Sequence, residues 1–373
     1  MSHSLSDSTL VYIGTYTSAD SKLGRRSQGI CRYSMDPRTG ALTPTGVTGS
    51  IANPSWLALH PTGRTLYSGS EGREHGERSG GAAVAFAVDS ATGDLTRLND
   101  QLTHGAGPCY LSLDPTGRLL MVANYTSGSL TVFPVRMDGS LEPASQVIQH
   151  AGSGPVADRQ EGPHAHCIIA DPTGCFALAA DLGIDKVMVY RIDLEAKRLE
   201  PADPPSADLA PGAGPRHLAF HPNGRWLYVT GELDSTLTVF AWDAERGRLQ
   251  HVQAISTLPE GWQGINYPAE VAVASSGRFV YMSNRGHDSI AIFAMDETSG
   301  KLTLVGHEPT RGSFPRHFSL DPTGAIMLVA NQDGDNVVVF RVDQVTGTLT
   351  PTGHAVEVPM PVCVRFVIGC QNS

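Results

Sequence analysis

The chain of 373 residues carries 27 Lys and Arg against 37 Asp and Glu, a formal net charge of −10, with 40% hydrophobic and 17% charged residues. That composition fits a folded protein with a large core and is too apolar for intrinsic disorder. The acidic balance argues against nucleic acid or an anionic membrane as partner, since either needs a broad basic surface.

Taken from the N-terminus, MSHSLSDSTL has no apolar h-region, and no later stretch is apolar for the roughly 18 residues a membrane span needs. A cytoplasmic protein is expected. LVYIGTYT from Leu10 reads as a strand, and MDPRTGAL from Met35 is the first of seven copies of one unit, an Asp, a turn and a Leu. The others are VDSATGDL from Val88, MDGSL from Met137, IDLEAKRL from Ile192, WDAERGRL from Trp242, MDETSGKL from Met295 and VDQVTGTL from Val342, at a mean spacing of about 51 residues. A second turn interleaves with them: HPTGR from His60, DPTGR from Asp114, DPTGC from Asp171, HPNGR from His221, SSGR from Ser275 and DPTGA from Asp321.

Between the turns lie β-branched and aromatic runs such as LLMVANY, WLYVTGE, FVYMSNR and VVVFRVD, the pattern of strands and hairpins. Four strands fit one repeat. PVCVRF from Pro361 resembles a first strand and LVYIGTYT a second, so the termini are expected to share a blade, which removes open sheet edges. The prediction is an all-β fold: one seven-bladed β-propeller domain over 1–373 with four-stranded antiparallel blades, 1–9 and 368–373 being loose ends. Monomer or weak homo-oligomer is expected. Cys31, Cys109, Cys167, Cys175, Cys363 and Cys370 show no zinc-type spacing and read as small core residues.

In a propeller the first strand of each blade lines the central channel, and its beginning lies beside the end of the second strand. First-strand starts are marked by Pro54, Pro108, Pro163, Pro215, Pro268, Pro315 and Pro361; second-strand ends are Glu71, Asn124, Asp181, Glu232, Asn284 with Arg285, and Asn331. One mouth therefore collects His164, His166, Arg216, His217, Arg285, His287, Arg316 and His317 with the carboxylates Glu232 and Glu270. Guanidinium groups in a narrow cleft bind phosphate or carboxylate bidentately, so a small anionic ligand is expected. A carboxylate or imidazole beside it could activate water while an Arg stabilises an oxyanion, parts that fit ester or lactone hydrolysis.

The repeated Arg64, Arg118, Arg225 and Arg278 read as structural, and His60 and His221 as turn formers, because repetition argues against a unique task. His166, Arg216, Glu232 and Arg285 instead break the repeat. GxSxG, HExxH and GxxxxGK[ST] motifs are absent. Oxygen ligands for calcium at the channel are conceivable through Glu270, Asn124, Asp181, Asn284 and Asn331, but a metal-free, cofactor-free site is the preferred reading.

The segments VYIGTYT, NPSWLALHPTGRTLY, GPCYLSLDPTGRLLMVANY, RQEGPHAHC, GPRHLAFHPNGRWLYVTGELDST, SNRGHDSIAIF and PRHFSLDPTG resemble the seven-bladed propeller 6-phosphogluconolactonase family, to which a fungal carboxymuconate cyclase is related. The resemblance implies hydrolysis of 6-phospho-D-glucono-1,5-lactone to 6-phosphogluconate in the oxidative pentose phosphate pathway, in the cytoplasm. By motif position, the active group of the cyclase branch falls on His166, Arg216, Glu232 and Arg285. On that footing Arg285 and Arg316, helped by His317 or His287, hold the phosphate, Glu232 or His166 takes a proton from water, and Arg216 faces the oxyanion; His164, His217 and Glu270 complete the substrate-binding set. GEL at Gly231 stands where such sequences often carry NEL. The alternatives are another sugar lactonase, a muconate-type cyclase, or a non-enzymatic binding scaffold.

Overall fold

A computed structural model describes residues 8–18, 26–72, 74–75 and 78–367. They form seven four-stranded antiparallel sheets arranged as blades. Blade 1 is built from both ends of the chain: Pro361–Phe366 is its innermost strand and pairs with Thr9–Thr15, followed outward by Ile30–Met35 and Leu42–Thr48. Thr9 thus belongs to a strand rather than to a loose end, while 368–373 lie outside the described residues. The innermost strands of blades 2 to 7 are Leu57–Leu59, Pro108–Leu113, Ala165–Ala170, Pro215–Phe220, Tyr267–Val273 and Pro315–Leu320, and each touches the next around the closed ring. Among the described residues the one helical element is a single turn at Leu182–Ile184.

Two repeated devices hold blades together. In the Asp-turn-Leu units the aspartate caps its own turn: Asp89 Oδ1 accepts from the Ala91 and Thr92 N–H groups, and Asp343 Oδ1 from those of Val345 and Thr346. The glycine of that turn then receives a tyrosine from the preceding blade, Tyr12 donating to Gly93 O at 2.6 Å, Tyr67 to Gly139 O at 2.9 Å and Tyr281 to Gly347 O at 3.0 Å. A buried phenol needs such a partner. In the second turn family His60 and His221 stand where aspartate stands elsewhere, and each reaches a glycine carbonyl in the next blade, Gly117 O and Gly277 O. They are turn residues, as their repetition suggested.

The space between blades is filled from the third strands, where Phe86, Phe133, Phe240, Phe293 and Phe340 recur and are essentially fully buried. Each such side chain contributes roughly 1.5–3 kcal/mol of burial. Cys31, Cys109, Cys167 and Cys363 are buried as expected; Cys175 is exposed, because it takes the solvent-facing place of the repeated arginine. No helix of the described residues is long and apolar enough to cross a membrane.

Candidate active site

The innermost strands do not begin as plain strands. In blades 3, 4, 5 and 7 the pairing with the second strand slips just after the first residue, in blade 6 just after the second, Pro268, and blade 1 slips at the same level. A bulge bends the strand and re-aims a side chain. At this level stand Cys109, His166, Arg216, Ala269, Arg316 and Val362, with Ser55 from the segment leading into the blade 2 strand, and the next residue along each, Tyr110, Cys167, His217, Glu270, His317, Cys363 and Trp56, forms a second layer below it. The ends of the second strands supply the rim: Tyr16, Glu71, Tyr125 and Glu232, each one residue past its strand in blades 1, 2, 3 and 5, and Arg285, the last strand residue in blade 6.

These levels enclose a cavity of about 200 Å³ lined by Glu71, Cys109, Tyr125, Arg159, His166, Arg216, Glu232, Arg285 and Arg316. Below it the channel narrows to about 10 Å³ among Ser55, Trp56, Glu71, Cys109, His166, Arg216, His217, Arg316 and Val362. Glu71, Cys109, His166, Arg216 and Arg316 are common to both and form the cavity floor; Arg159, Tyr125, Glu232 and Arg285 form its walls. Among the described residues four guanidinium groups face two carboxylates, a surplus of two positive charges on a protein of net charge −10. A larger cavity of about 520 Å³ opens at the other end of the channel, lined largely by aliphatic strand ends. Its aspartates, Asp114 and Asp171, are spent on their own turns, and its one arginine among the described residues, Arg365, donates to Leu57 O and lies over the Trp56 ring, so the cluster of facing charges is at the first mouth.

Glu232 is the hub. Its Oε2 accepts from Arg216 Nη1 at 2.7 Å and forms an ion pair with Arg285 Nη2 at 2.9 Å, and its Oε1 accepts from Arg159 Nη2 at 2.7 Å. Burial alone would raise this carboxyl, but Arg285 and Arg216 beside it hold it well below the usual carboxylate range. Burial brings Arg285 down to about 9, still protonated at neutral pH; its Nε donates to Tyr267 O at 2.8 Å. His166 Nε2 lies 2.6 Å from Arg216 Nη1. A guanidinium only donates, so Nε2 is the acceptor and the ring proton sits on Nδ1. Burial and Arg216 push His166 well below its ordinary value, leaving it neutral.

Of the sequence-predicted residues, His166, Arg216, Glu232, Arg285 and Arg316 come together at this mouth. His217, His317 and Glu270 lie one layer deeper, the two imidazoles packed on Trp56: His217 Nδ1 is 3.0 Å and His317 Nε2 3.4 Å from Glu270 Oε2. Burial raises Glu270 to about 8 and lowers both imidazoles well below 6.5, so this layer is a largely neutral plug. His164 does not line the cavity. The blade 4 strand begins at Ala165 rather than near Pro163, so His164 precedes the bulge and stacks on Tyr125 with its Nε2 3.3 Å from Glu161. His287 also points elsewhere, Nδ1 against Ser289 Oγ at 2.6 Å and its ring between Trp262 and His307.

The amide and acid side chains considered as calcium ligands turn into the blades. Asn124 bonds Thr131, Asp181 bonds His150 and the His164 N–H, Asn284 bonds Thr257, and Asn331 bonds Asn336. At Gly231, where the resemblance leads one to expect Asn, a Cβ would fall 2.3 Å from Asp234 Oδ1 and 2.6 Å from Thr236 Oγ1. Those two side chains crowd the position against a larger residue, and Glu232 keeps its place. Arg159 was missed as a site residue. It comes from the connection between blades 3 and 4, outside the repeat, where register carries no information.

The family model "Lactonase, 7-bladed beta-propeller" matches residues 10–366. A 6-phosphogluconolactonase of Bacillus subtilis (strain 168) is 37% identical over 356 residues, 95% of this chain and 97% of that protein; one from Formosa agariphila is 34% identical, covering 84% and 86%. Among solved structures, the Pseudomonas aeruginosa periplasmic gluconolactonase PpgL superposes with a TM-score of 0.89 at 37% identity, covering 97% of this chain and 99% of that one. The chain belongs to the seven-bladed β-propeller lactonase family.

Proposed function

We propose that this protein hydrolyses a sugar lactone in the cationic mouth, and that its substrate is 6-phospho-D-glucono-1,5-lactone, opened to 6-phosphogluconate for the oxidative pentose phosphate pathway in the cytoplasm. The observation that carries the reading is the surplus of guanidinium groups in a sugar-sized cavity of a lactonase-family chain. The cavity floor suits the reacting carbonyl. Arg216, oriented by Glu232 and His166, and Arg316 beside it would face the oxyanion of the tetrahedral adduct, where fixed donors in a partly desolvated site lower the barrier. Arg159 and Arg285 on the wall suit the phosphate.

This assignment moves Arg316 from phosphate to carbonyl, because it lines the constriction as well as the cavity. A second reading, hydrolysis of an unphosphorylated gluconolactone, is favoured by the similarity to PpgL. Rates on lactones with and without the 6-phosphate, corrected for spontaneous opening, separate the two. The phosphorylated lactone is expected to win, and Arg159→Ala to raise its KM about tenfold or more while sparing the plain lactone. Acceleration of the plain lactone alone would establish the second reading, and acceleration of neither would leave a binding scaffold.

A further inference from the structure

Hydrolysis needs a base for the attacking water, and both residues first suggested for that task are engaged by arginine. Glu232 has three of its about four acceptor positions taken and its carboxyl held well below the usual range, which makes it a poor proton acceptor. His166 spends its one acceptor nitrogen on Arg216. Among the described residues the cavity has one other carboxylate, Glu71, and it is built differently. Among the described residues its only side-chain hydrogen-bond donor is the Tyr16 hydroxyl, 3.2 Å from Oε1 and 3.1 Å from Oε2. A carboxylate offers about four acceptor positions and Tyr16 supplies a single proton. Burial keeps that phenol protonated, so it can only donate to Glu71.

We propose that Glu71 is the general base, with Tyr16 its positioning residue. The inference rests on the lactone-hydrolase reading above. Glu71 stands in blade 2 where Glu232 stands in blade 5, one residue past the second strand, and it lines both the cavity and the constriction below. The groups facing the same floor from other blades are Tyr16, Cys109, His166, Arg216 and Arg316, the last with its guanidinium 5.4 Å from the Tyr16 ring centre. Burial holds the Cys109 thiol protonated and His166 neutral, so the charged neighbours of Glu71 here are the two arginines.

In the step itself, a water proton passes to the Glu71 carboxylate as the water oxygen bonds the lactone carbonyl carbon. The carbonyl π pair moves onto its oxygen, against Arg216 and Arg316. Collapse of the adduct restores the C=O and breaks the bond to the ring oxygen, which takes the proton back from Glu71. The hydroxy acid then loses its own proton to solvent, and Glu71 is regenerated as carboxylate.

The test is the pH dependence of kcat/KM for 6-phospho-D-glucono-1,5-lactone in wild type, Glu71→Gln and Tyr16→Phe. Glu71→Gln is expected to lower kcat by about 100-fold or more and to abolish the acidic limb of the profile, while the competitive inhibition constant of 6-phosphogluconate changes little. Tyr16→Phe removes a bond to the ionised carboxylate and should shift that limb upward in pH. That shift also serves as the readout should Glu71→Gln fail to fold. A Glu71→Gln enzyme that keeps its kcat and its acidic limb overturns the assignment while leaving the lactonase reading intact, as does a limb unmoved in Tyr16→Phe. A wild type that accelerates no lactone overturns both.

Discussion

At the scale of single residues, the two kinds of carboxylate in this molecule show how neighbours decide chemistry. Glu232 is an anchor: three guanidinium groups converge on it, and its job is to hold Arg216 and Arg285 in place. Glu232→Gln removes one partner of a buried ionic cluster, which typically costs about 3–5 kcal/mol. We expect a lower Tm and a weakened kcat, with the acidic limb of the rate profile still present; loss of that limb would identify Glu232 as the titrating base. Glu270 is the opposite case, a carboxyl raised by burial to about 8 in the fold from about 4.3 in the unfolded chain. Between those values the folded state holds a proton that the unfolded state has lost, so this carboxyl erodes stability as pH rises from about 4.5 to 8. The Tm gain of Glu270→Gln over wild type should therefore grow between pH 5 and pH 9. A difference independent of pH would mean that Glu270 is ionised throughout.

Among the elements, the innermost strands explain what could be read from the residues and what could not. The turns were legible, because Asp, Gly and Pro recur at fixed offsets with a local mechanism, and from them came the blade count and the shared terminal blade. The bulges were not. A slip in pairing leaves no composition signal, and it decides that His166 faces the cavity while His164 stacks on Tyr125. The same slip lets neighbours such as Arg216 and His217 both serve the channel at different depths, so a flat collection of charged residues at one mouth resolves into a cationic cavity above a neutral plug. Second strands must also approach the next blade closely. Gly69 is one instance, since a Cβ there would lie 2.7 Å from Pro108 O, a backbone atom that cannot swing aside. Gly69→Ala should destabilise the protein by about 1–3 kcal/mol, read as a lower midpoint in urea with unchanged slope; an unaltered midpoint would show that the blades can slide apart at no cost.

For the whole molecule, the ring is what makes a site out of residues 16 to 316. Among the described residues no blade holds more than two of the cavity's charged groups; blade 5 gives Arg216 and Glu232, blade 2 Glu71, blade 6 Arg285, blade 7 Arg316, and a connection gives Arg159. Closing the circle with Pro361–Phe366 sets their distances, and the low dielectric of a narrow mouth strengthens the field they make. That field, on an otherwise acidic protein, is the reason to expect an anion there rather than at the wider, aliphatic mouth opposite. A crystal structure with the product 6-phosphogluconate tests this account at the point where fold and chemistry meet. Its carboxylate should lie against Arg216 and Arg316 beside Glu71, and its phosphate against Arg159 and Arg285. Product bound in the opposite mouth, or no product bound at saturating concentration, would contradict it.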